Sequence, residues 1–434
     1  MSKLKIIVAA LCLAAFAQGQ ERMNLTLEEC RQLAIEQNED LKKSGNKLRQ
    51  AELDKAIAFS NYLPKVDGSV SGIYVFPDMD ISGMTLQMHG MYSAGISVSQ
   101  PLYAGGKIMA ANKLAKIGKE VASENHRKTR MQVIADADNA YWSLIAVNWK
   151  VRLLESYQAQ MDALYARTAT SVEAGMATKN DLLRITAKRS EINYQLQKAK
   201  NGENLCRLSL CHVVGCGFDT QIVPVDTVIP IAAPSQLDES IALRPELHLL
   251  QSQVDAAKQQ IKVSRSEVLP TIGLMGGYNF YGNIKLKGMT QDANGQSTAF
   301  TSKIDDSMGL VMASISIPVF HWGEGLKKIR KAKLELHNAQ LDLQKNSRLL
   351  SIEARQAVQN VTDGYTMVET ARLGDEQGQE NLRVMTQQYE AGLCTLTDLL
   401  DAQTQWQQAQ SNLIEAQTQY KIYETEYLRV TGKL

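Results

Sequence analysis

The chain has 434 residues, with 47 Lys and Arg against 46 Asp and Glu, a formal net charge of +1. That balance removes the electrostatic case for nucleic acid and for a strongly basic membrane-surface patch. Aromatics are few, Trp numbers four, and the abundant Ala, Gln, Leu, Lys and Glu favour helix.

Residues 1–17 read as a signal peptide. Lys3 and Lys5 form a positive start, Ile6 to Ala17 a short apolar run, and Ala15-Phe16-Ala17 a small-x-small cleavage site. The run is too short to span a bilayer as a helix. Leu11 stands before Cys12 where lipoprotein processing wants a small residue, so cleavage near Gln18 without a lipid anchor is expected. No later segment carries about 20 consecutive apolar residues. An exported chain of this kind is periplasmic, secreted or an outer-membrane β-barrel. The cysteines left after cleavage are Cys30, Cys206, Cys211, Cys216 and Cys394, an odd number and no tidy disulfide framework. Cys206, Cys211 and Cys216 stand five apart, which on a helix does not put them on one face and does not match zinc spacing.

In chain order, a helix is predicted over roughly Leu27 to Ser60. A β-hairpin follows over about 65–101, then long helices over about 102–216. Residues 217–235, with Pro224, Pro230 and Pro234, read as an extended linker. Thereafter come a helix from Ser235 to Glu267, a hairpin over about 271–318 and long helices over about 319–431. The strands alternate. Val66, Val70, Tyr74 and Phe76 share one parity, as do Tyr92, Ala94, Ile96 and Val98. So do Ile272, Leu274, Tyr278 and Phe280, and so do Val311, Ala313, Ile315 and Ile317. Such strands fit a barrel wall between lipid and water, or a soluble sheet with one buried face. The connections near Pro77 to Gly90 and Asn283 to Asp306 are polar or Gly-rich and read as loops.

Four strands do not close a barrel, because small barrels need about eight. Unpaired edges in lipid are prohibitively unfavourable, so a barrel requires several chains: two supply eight strands and three supply twelve. In the long helix Ile134, Tyr141, Leu144, Val151, Leu154 and Met161 step by sevens and threes, a coiled-coil seam. Gly106 to Ser171 as one helix would run about 100 Å. The last helix is rich in amides, among them Gln403, Gln407, Gln410 and Gln417. They suit a hydrated tunnel wall and an ordinary solvated face equally.

An internal repeat organises these elements. Glu173-Ala174-Gly175-Met176-Ala177-Thr178-Lys179-Asn180-Asp181 recurs 217 residues on as Glu390-Ala391-Gly392-Leu393-Cys394-Thr395-Leu396-Thr397-Asp398. Pro101 and Pro318 share that offset, as do Gly106 and Gly323. Earlier, Leu63-Pro64 matches Leu269-Pro270 at an offset of 206, so the second hairpin carries 11 extra residues. The repeats span 18–216 and 236–434. Gly175 and Gly392 suit a left-handed helix stop, and Thr178-x-x-Asp181 and Thr395-x-x-Asp398 suit capping boxes that restart it.

Two copies of helix, hairpin, proline, long helix and Glu-Ala-Gly turn resemble the TolC-like outer-membrane efflux protein family over essentially the whole mature chain. The paired Gly-x-x-Thr-x-x-Asp turns carry the resemblance, with Pro101-Leu102-Tyr103 and Pro318-Val319-Phe320. The resemblance implies a mixed α/β membrane protein: a homotrimer with a long α-helical coiled-coil periplasmic barrel and a transmembrane β-barrel in outer-membrane lipid, four strands per chain. Pro64, Pro101, Pro270 and Pro318 would mark the barrel–helix junction. The turns at Gly175, Thr178, Asp181, Gly392 and Thr395 would dock a periplasmic adaptor protein fed by an inner-membrane transporter. Asp398, Asp401 and Tyr389 would form the periplasmic gate. The family places an arginine two residues after the second glycine, and here that position is Cys394. Asp401 lies three residues past Asp398 on about the same helical face, and no cap explains it. Tyr103, Phe320 and Trp322 suit the membrane interface or core packing.

The six His are scattered, Gly105-Gly106-Lys107 lacks the rest of a phosphate loop, and no metal or nucleophile motif is present. No enzyme activity and no cofactor are expected. The readings are an export duct, a periplasmic coiled-coil scaffold without its own barrel, and an exported enzyme of unknown type.

Overall fold

The computed structural model describes residues 22–82, 84–226, 229–291 and 296–434. The signal-peptide reading, with its cleavage site and Cys12, lies outside them. The described chain is mostly helical with sheet and forms two compact units. One takes in the described residues up to Lys47, Ser123–Leu249 and Gln344–Leu434; the other takes in Leu48–Ala122 and Leu250–Leu343.

The first unit is helical. Strand β1 (Arg22–Leu25) leads into α1 (Leu27–Gln37), which opens on a capping box of Thr26 and Glu29. The helix expected to run unbroken to Ser60 stops at Asn38. The Asn38 Oδ1 accepts the backbone N–H of Asp40 at 2.9 Å and of Leu41 at 3.2 Å, so it caps a second helix, α2 (Glu39–Ser60). Helix α3 (Lys107–Glu173) is 67 residues long and α4 (Lys179–Val214) returns from it. The heptad residues Ile134, Tyr141, Leu144, Val151, Leu154 and Met161 are all buried, as the seam requires. Each fully buried side chain of this size contributes about 2 kcal/mol. Tyr141 and Leu144 meet Leu210, Cys211 and Val214 of α4 and Cys30 of α1 in the main cluster, and Val151, Leu154 and Met161 join smaller clusters along the same helix pair.

Helices α6 (Glu324–Glu390) and α7 (Leu396–Thr431) build a second core from Ala354, Ala357, Val361, Val368, Tyr420 and Tyr427. Small residues let these two helices approach closely. A Cβ on Gly364 would stand 2.9 Å from the Tyr423 ring, so the position has no room for a side chain.

The segment read as a linker is extended but not free. Gln221–Pro224 forms β6, which pairs in parallel with β1. Ile222 and Ile229 are buried, the Tyr141 hydroxyl donates to Asp226 at 2.6 Å, and the Tyr420 hydroxyl donates to the Ala232 carbonyl at 2.6 Å. Burial and the bond to Asp226 hold the Tyr141 phenol well above its ordinary pKa. The second early helix also starts later than expected: α5 runs Pro245–Ser266. Proline fits a first helical turn and pushes the residue before it out of helix, so Pro245 sets the boundary.

The second unit holds an antiparallel sheet. Strands β2 (Lys65–Tyr74), β5 (His89–Ala104), β7 (Thr271–Gln291) and β8 (Ser297–Ser316) pair in that order. Two short strands, β3 (Met79–Ile81) and β4 (Met84–Gln87), occupy the connection read as a loop, and β4 pairs with β7. The second connection read as a loop, Asn283 to Asp306, is largely strand. A bulge explains the misreading. Between Tyr281 and Ile284 the register with β8 shifts, Asn283 takes φ +62°, and its backbone N–H reaches Asp305 at 2.7 Å. Past the bulge Ile284 faces Ile304: three steps along β7 match two along β8, so β7 carries the extra residue, and the apolar Ile304 and Phe300 of β8 fall on the parity opposite to Ala313 and Ile315.

The register brings the four apolar sets together. Val66 lies opposite Val98, Val70 opposite Ala94, Ile96 opposite Tyr278, Ala94 opposite Phe280, Leu274 opposite Ala313 and Ile272 opposite Ile315. All four strands therefore put their apolar parity on one face. Ser71 and Ser93 pair on the opposite face, their hydroxyls 2.8 Å apart. In the single chain both faces are open: Val70 is 85% and Val311 78% exposed.

Candidate functional site

Two turns of the first unit are near copies. In the first, α3 stops at Gly175, φ +72°, and the backbone N–H of Met176 bonds to the Ser171 carbonyl at 2.8 Å. Thr178 then caps α4: its Oγ1 accepts the Asp181 N–H at 3.2 Å, and Asp181 Oδ2 accepts the Thr178 N–H at 3.1 Å. In the second, α6 stops at Gly392, φ +71°, with Leu393 N–H on the Gln388 carbonyl at 2.8 Å. Thr395 and Asp398 close the same box at 3.3 and 2.9 Å. Left-handed stop and reciprocal cap together satisfy backbone groups that helix ends otherwise leave orphaned. Both boxes and both glycine stops are as expected from sequence.

The turns are linked at their bases. Arg167 of α3 lies 3.5 Å from Glu390 of α6, and Arg184 of α4 hydrogen-bonds to Thr397 of α7. Arg184 thus gives the first-half turn a basic contact to its partner. Cys394, where the family has arginine, donates its thiol to the Met385 carbonyl at 3.5 Å and stays within its own turn. Past the turns a row of amides stitches α7 to its neighbours. Gln403 donates to Gln160 at 3.1 Å, Gln407 donates to Gln195 at 3.1 Å, and the Tyr157 hydroxyl donates to Gln410 at 3.2 Å. Gln403, Gln407 and Gln410 thus make interhelical bonds, which a merely solvated face would not supply.

The expected gate residues separate by role. Asp398 is occupied by the cap, and the bonds from Thr395 hold its carboxyl below the ordinary value. Asp401 is exposed and has no hydrogen bond or ion pair among the described residues. Tyr389 is half-buried, and its carbonyl accepts the Gly392 N–H at 3.0 Å.

The four prolines bracket the sheet unevenly. Pro64 and Pro270 stand between a finished helix and β2 or β7. Pro101 is not at a boundary. Strand β5 continues to Ala104 through a register shift at Pro101, where the missing N–H does no harm to the ladder. Strand β8 ends two residues before Pro318. Ahead of α3, Gly105 and Gly106 take φ +59° and +83°; ahead of α6, Trp322 and Gly323 take +50° and +73°. A Cβ on Gly105 would sit 2.7 Å from the Ser266 carbonyl, so glycine is required there. Trp322 holds a strained left-handed conformation, 83% exposed and edge-on to Phe320 at 5.1 Å.

Sequence reading missed the buried ions. Asp138 is fully buried on α3 and takes a bidentate pair from Arg31 at 2.6 Å, plus the Thr425 hydroxyl at 2.8 Å. Arg244, also buried, reaches Glu246 at 3.2 Å and Glu353 at 2.5 Å. An Asp at a heptad-flanking position gives no signal of its own. The tips Met176 and Leu393 were also missed as a pair; both are nearly fully exposed, at 79% and 78%.

The chain matches the sequence profile described as outer membrane efflux protein over residues 30–207 and 237–433. It belongs to the outer membrane efflux protein family. It is 22% identical to the outer membrane efflux protein BepC of Brucella suis, covering 99% of this chain and 90% of that one. Identity to the outer membrane protein TolC of Escherichia coli is also 22%, over 100% of this chain and 87% of that one. The alkaline protease secretion protein AprF of Pseudomonas aeruginosa shares 20% over 76% of this chain and 67% of its own length. Among solved structures the CmeC outer membrane channel of Campylobacter jejuni superposes with a TM-score of 0.79 at 18% identity, over 96% and 90% of the two chains. CusC, a transmembrane channel, gives 0.78 at 15%, over 96% and 95%. The protein is thus an outer-membrane efflux channel of a Gram-negative bacterium that extends into the periplasm, of the kind that serves tripartite efflux and type I secretion. The family is made up of channel proteins.

Proposed function

We propose that three copies of this chain close one passive export duct, twelve strands in the outer membrane and helices in the periplasm, with no catalytic role. The carrying observation is the register of β2, β5, β7 and β8, which collects the apolar residues of four strands on one face. Among the described residues, strands β2 and β8 each have one partner and so leave unpaired edges. In lipid such edges must be paired, and other copies of the chain supply them. The scaffold reading gives no reason for an exposed apolar sheet face. Three copies are favoured over two by the resemblance to TolC-like channels, because either number pairs the edges.

Burial supports the tandem repeat. Ala137, Ala140, Leu144 and Val151 are buried, and so are Ala354, Ala357, Val361 and Val368, 217 residues on. The 11 additional residues of the second copy accompany its longer strands, 21 and 20 residues against 10 and 16. The repeats are taken as 18–216 and 236–434, joined by 217–235.

The two turns are the adaptor-docking tips, where Gly175, Thr178, Asp181, Gly392 and Thr395 fix the shape and Met176 and Leu393 offer apolar contact. The adaptor in turn meets an inner-membrane transporter. Asp401 is the gate acid, because Asp398 is committed to its cap; in a trimer three Asp401 carboxylates around one axis attract cations. Tyr389 stands three residues before Gly392 at the same turn. Pro64, Pro101, Pro270 and Pro318, with exposed Tyr103, Phe320 and Trp322, form the junction at the lipid interface. Cell fractionation tests the reading: the protein should partition with outer membranes and run as a detergent-resistant trimer, whereas recovery as a soluble monomer contradicts it.

A further inference from the structure

Helix α4 ends on Gly215, φ +76°, as α7 ends on Gly432, φ +76°. Both ends close with a bond from the second residue outside back to the third from the end: Cys216 N–H to the Cys211 carbonyl at 3.0 Å, and Lys433 N–H to the Leu428 carbonyl at 2.8 Å. This stop usually sets an apolar contact between those two side chains. At α7 the pair is Leu428 and Lys433. At α4 it is two cysteines.

Cys211 is fully buried, its thiol donates to the Thr220 carbonyl at 3.8 Å, and Cys216 packs against the same core cluster. The 3.0 Å closing bond, with standard bond lengths, holds the two Cα atoms within about 7 Å. A disulfide needs Cα atoms about 4.4–6.8 Å apart. Gly215 takes a left-handed φ and a Cβ there would stand 2.9 Å from Gln37 of α1, so the stop requires glycine. Both residues are thiols in this structure.

From this helix stop we propose that Cys211 and Cys216 are a disulfide modification site, joined when the exported chain folds in the oxidising periplasm. The periplasm keeps disulfides, unlike the cytosol. The step is thiol–disulfide exchange with a periplasmic dithiol oxidant held as its disulfide. One cysteine thiolate attacks that disulfide and releases one oxidant thiol; the second cysteine then attacks the mixed disulfide and releases the other. Two protons and two electrons leave the chain and the oxidant becomes a dithiol.

Timing follows from burial. In the folded core Cys216 is pushed up to about 12, chiefly by desolvation, and Cys30 likewise. Thiolates attack, thiols do not. Exchange is therefore faster while the chain is still folding than after the core has closed over these thiols. Cys30, on α1 in the same cluster, is the competing partner for Cys216.

The test uses wild-type protein taken from the outer-membrane fraction without reductant, so localisation is checked in the same preparation. It is denatured in the presence of iodoacetamide and digested with trypsin. Cleavage after Arg207 releases one peptide that starts at Leu208 and carries Cys211 and Cys216 as its only cysteines. That peptide should be unalkylated and two hydrogen atoms lighter than its dithiol form, and should take two alkyl groups after reduction. Full alkylation of both cysteines before reduction, or a link from this peptide to the one carrying Cys30, overturns the proposal. Protein made without its export signal should show both thiols alkylated, and a disulfide there would overturn the requirement for the periplasm.

Discussion

The helical unit and the sheet carry the same kind of message and end in opposite states. In α3 the apolar stripe is spaced for a helix and every member is buried, Tyr141 fully. In the sheet the apolar stripe is spaced for strands and aligned by register, yet Val70 and Val311 stay exposed. Periodicity decides which residues share a face; only the neighbours of that face decide whether it is covered. One core is complete within the chain and the other apolar face is left open, and the proposed duct would cover that face with lipid and pair its edges with copies of the chain.

That contrast can be broken from either side. The largest effect is expected from Asp138→Ala. It strips Arg31 of its two bonds to Asp138, leaving only Glu28, and Thr425 of its acceptor, and should lower the stability of the helical unit by about 3 kcal/mol, read as a fall in the denaturant midpoint. Next, Val311→Lys puts a charge on the apolar face and should cost about 2–4 kcal/mol if that face meets lipid. Ser314→Lys, on the opposite face, should assemble. Equal membrane assembly of the two variants would remove the lipid assignment. Thr395→Ala deletes one helix cap and should cost about 1 kcal/mol, with the turn exchanging amide hydrogens faster. The smallest effect on stability is expected from Asp401→Ala, which should leave the fold intact and reduce cation selectivity in planar bilayers; unchanged selectivity and conductance would end its gate role.

A pH experiment sharpens the two acids of the second turn. Asp398 has a folded pKa below its unfolded one, so its cap contributes fully above the unfolded value and is lost as pH falls through the lower folded value. Acid titration followed at the Thr395 amide should therefore show the cap intact at neutral pH and released only in strongly acid solution. Loss of that amide's protection near neutral pH would show that Asp398 is not held by the cap.

Much of this was legible in the sequence, for stated physical reasons. Glycine before a Thr-x-x-Asp box fixes a helix stop and restart with few alternatives, and both turns fold accordingly. Parity in β2, β5, β7 and the near part of β8 was readable because period two is strict. The far part of β8 was not, because its apolar residues Ile304 and Phe300 switch parity opposite the point where β7 takes an extra residue at Asn283. Asn38 and Pro245 moved helix ends through local bonding that a long apolar pattern overrides on paper. The linker's docking depends on Tyr141, Tyr420 and Asp226, which lie far apart in sequence. Arg184 to Thr397 was invisible for the same reason, although Cys394 already signalled that the turn lacked its usual basic residue.

The central claim is that the open sheet is closed by three chains. Electron microscopy of the detergent-purified particle tests it most directly. The account predicts a three-fold particle with a twelve-stranded barrel, in which β2 of one chain pairs with β8 of the next. A two-fold particle of eight strands, or a monomer with its sheet edges free, would contradict it.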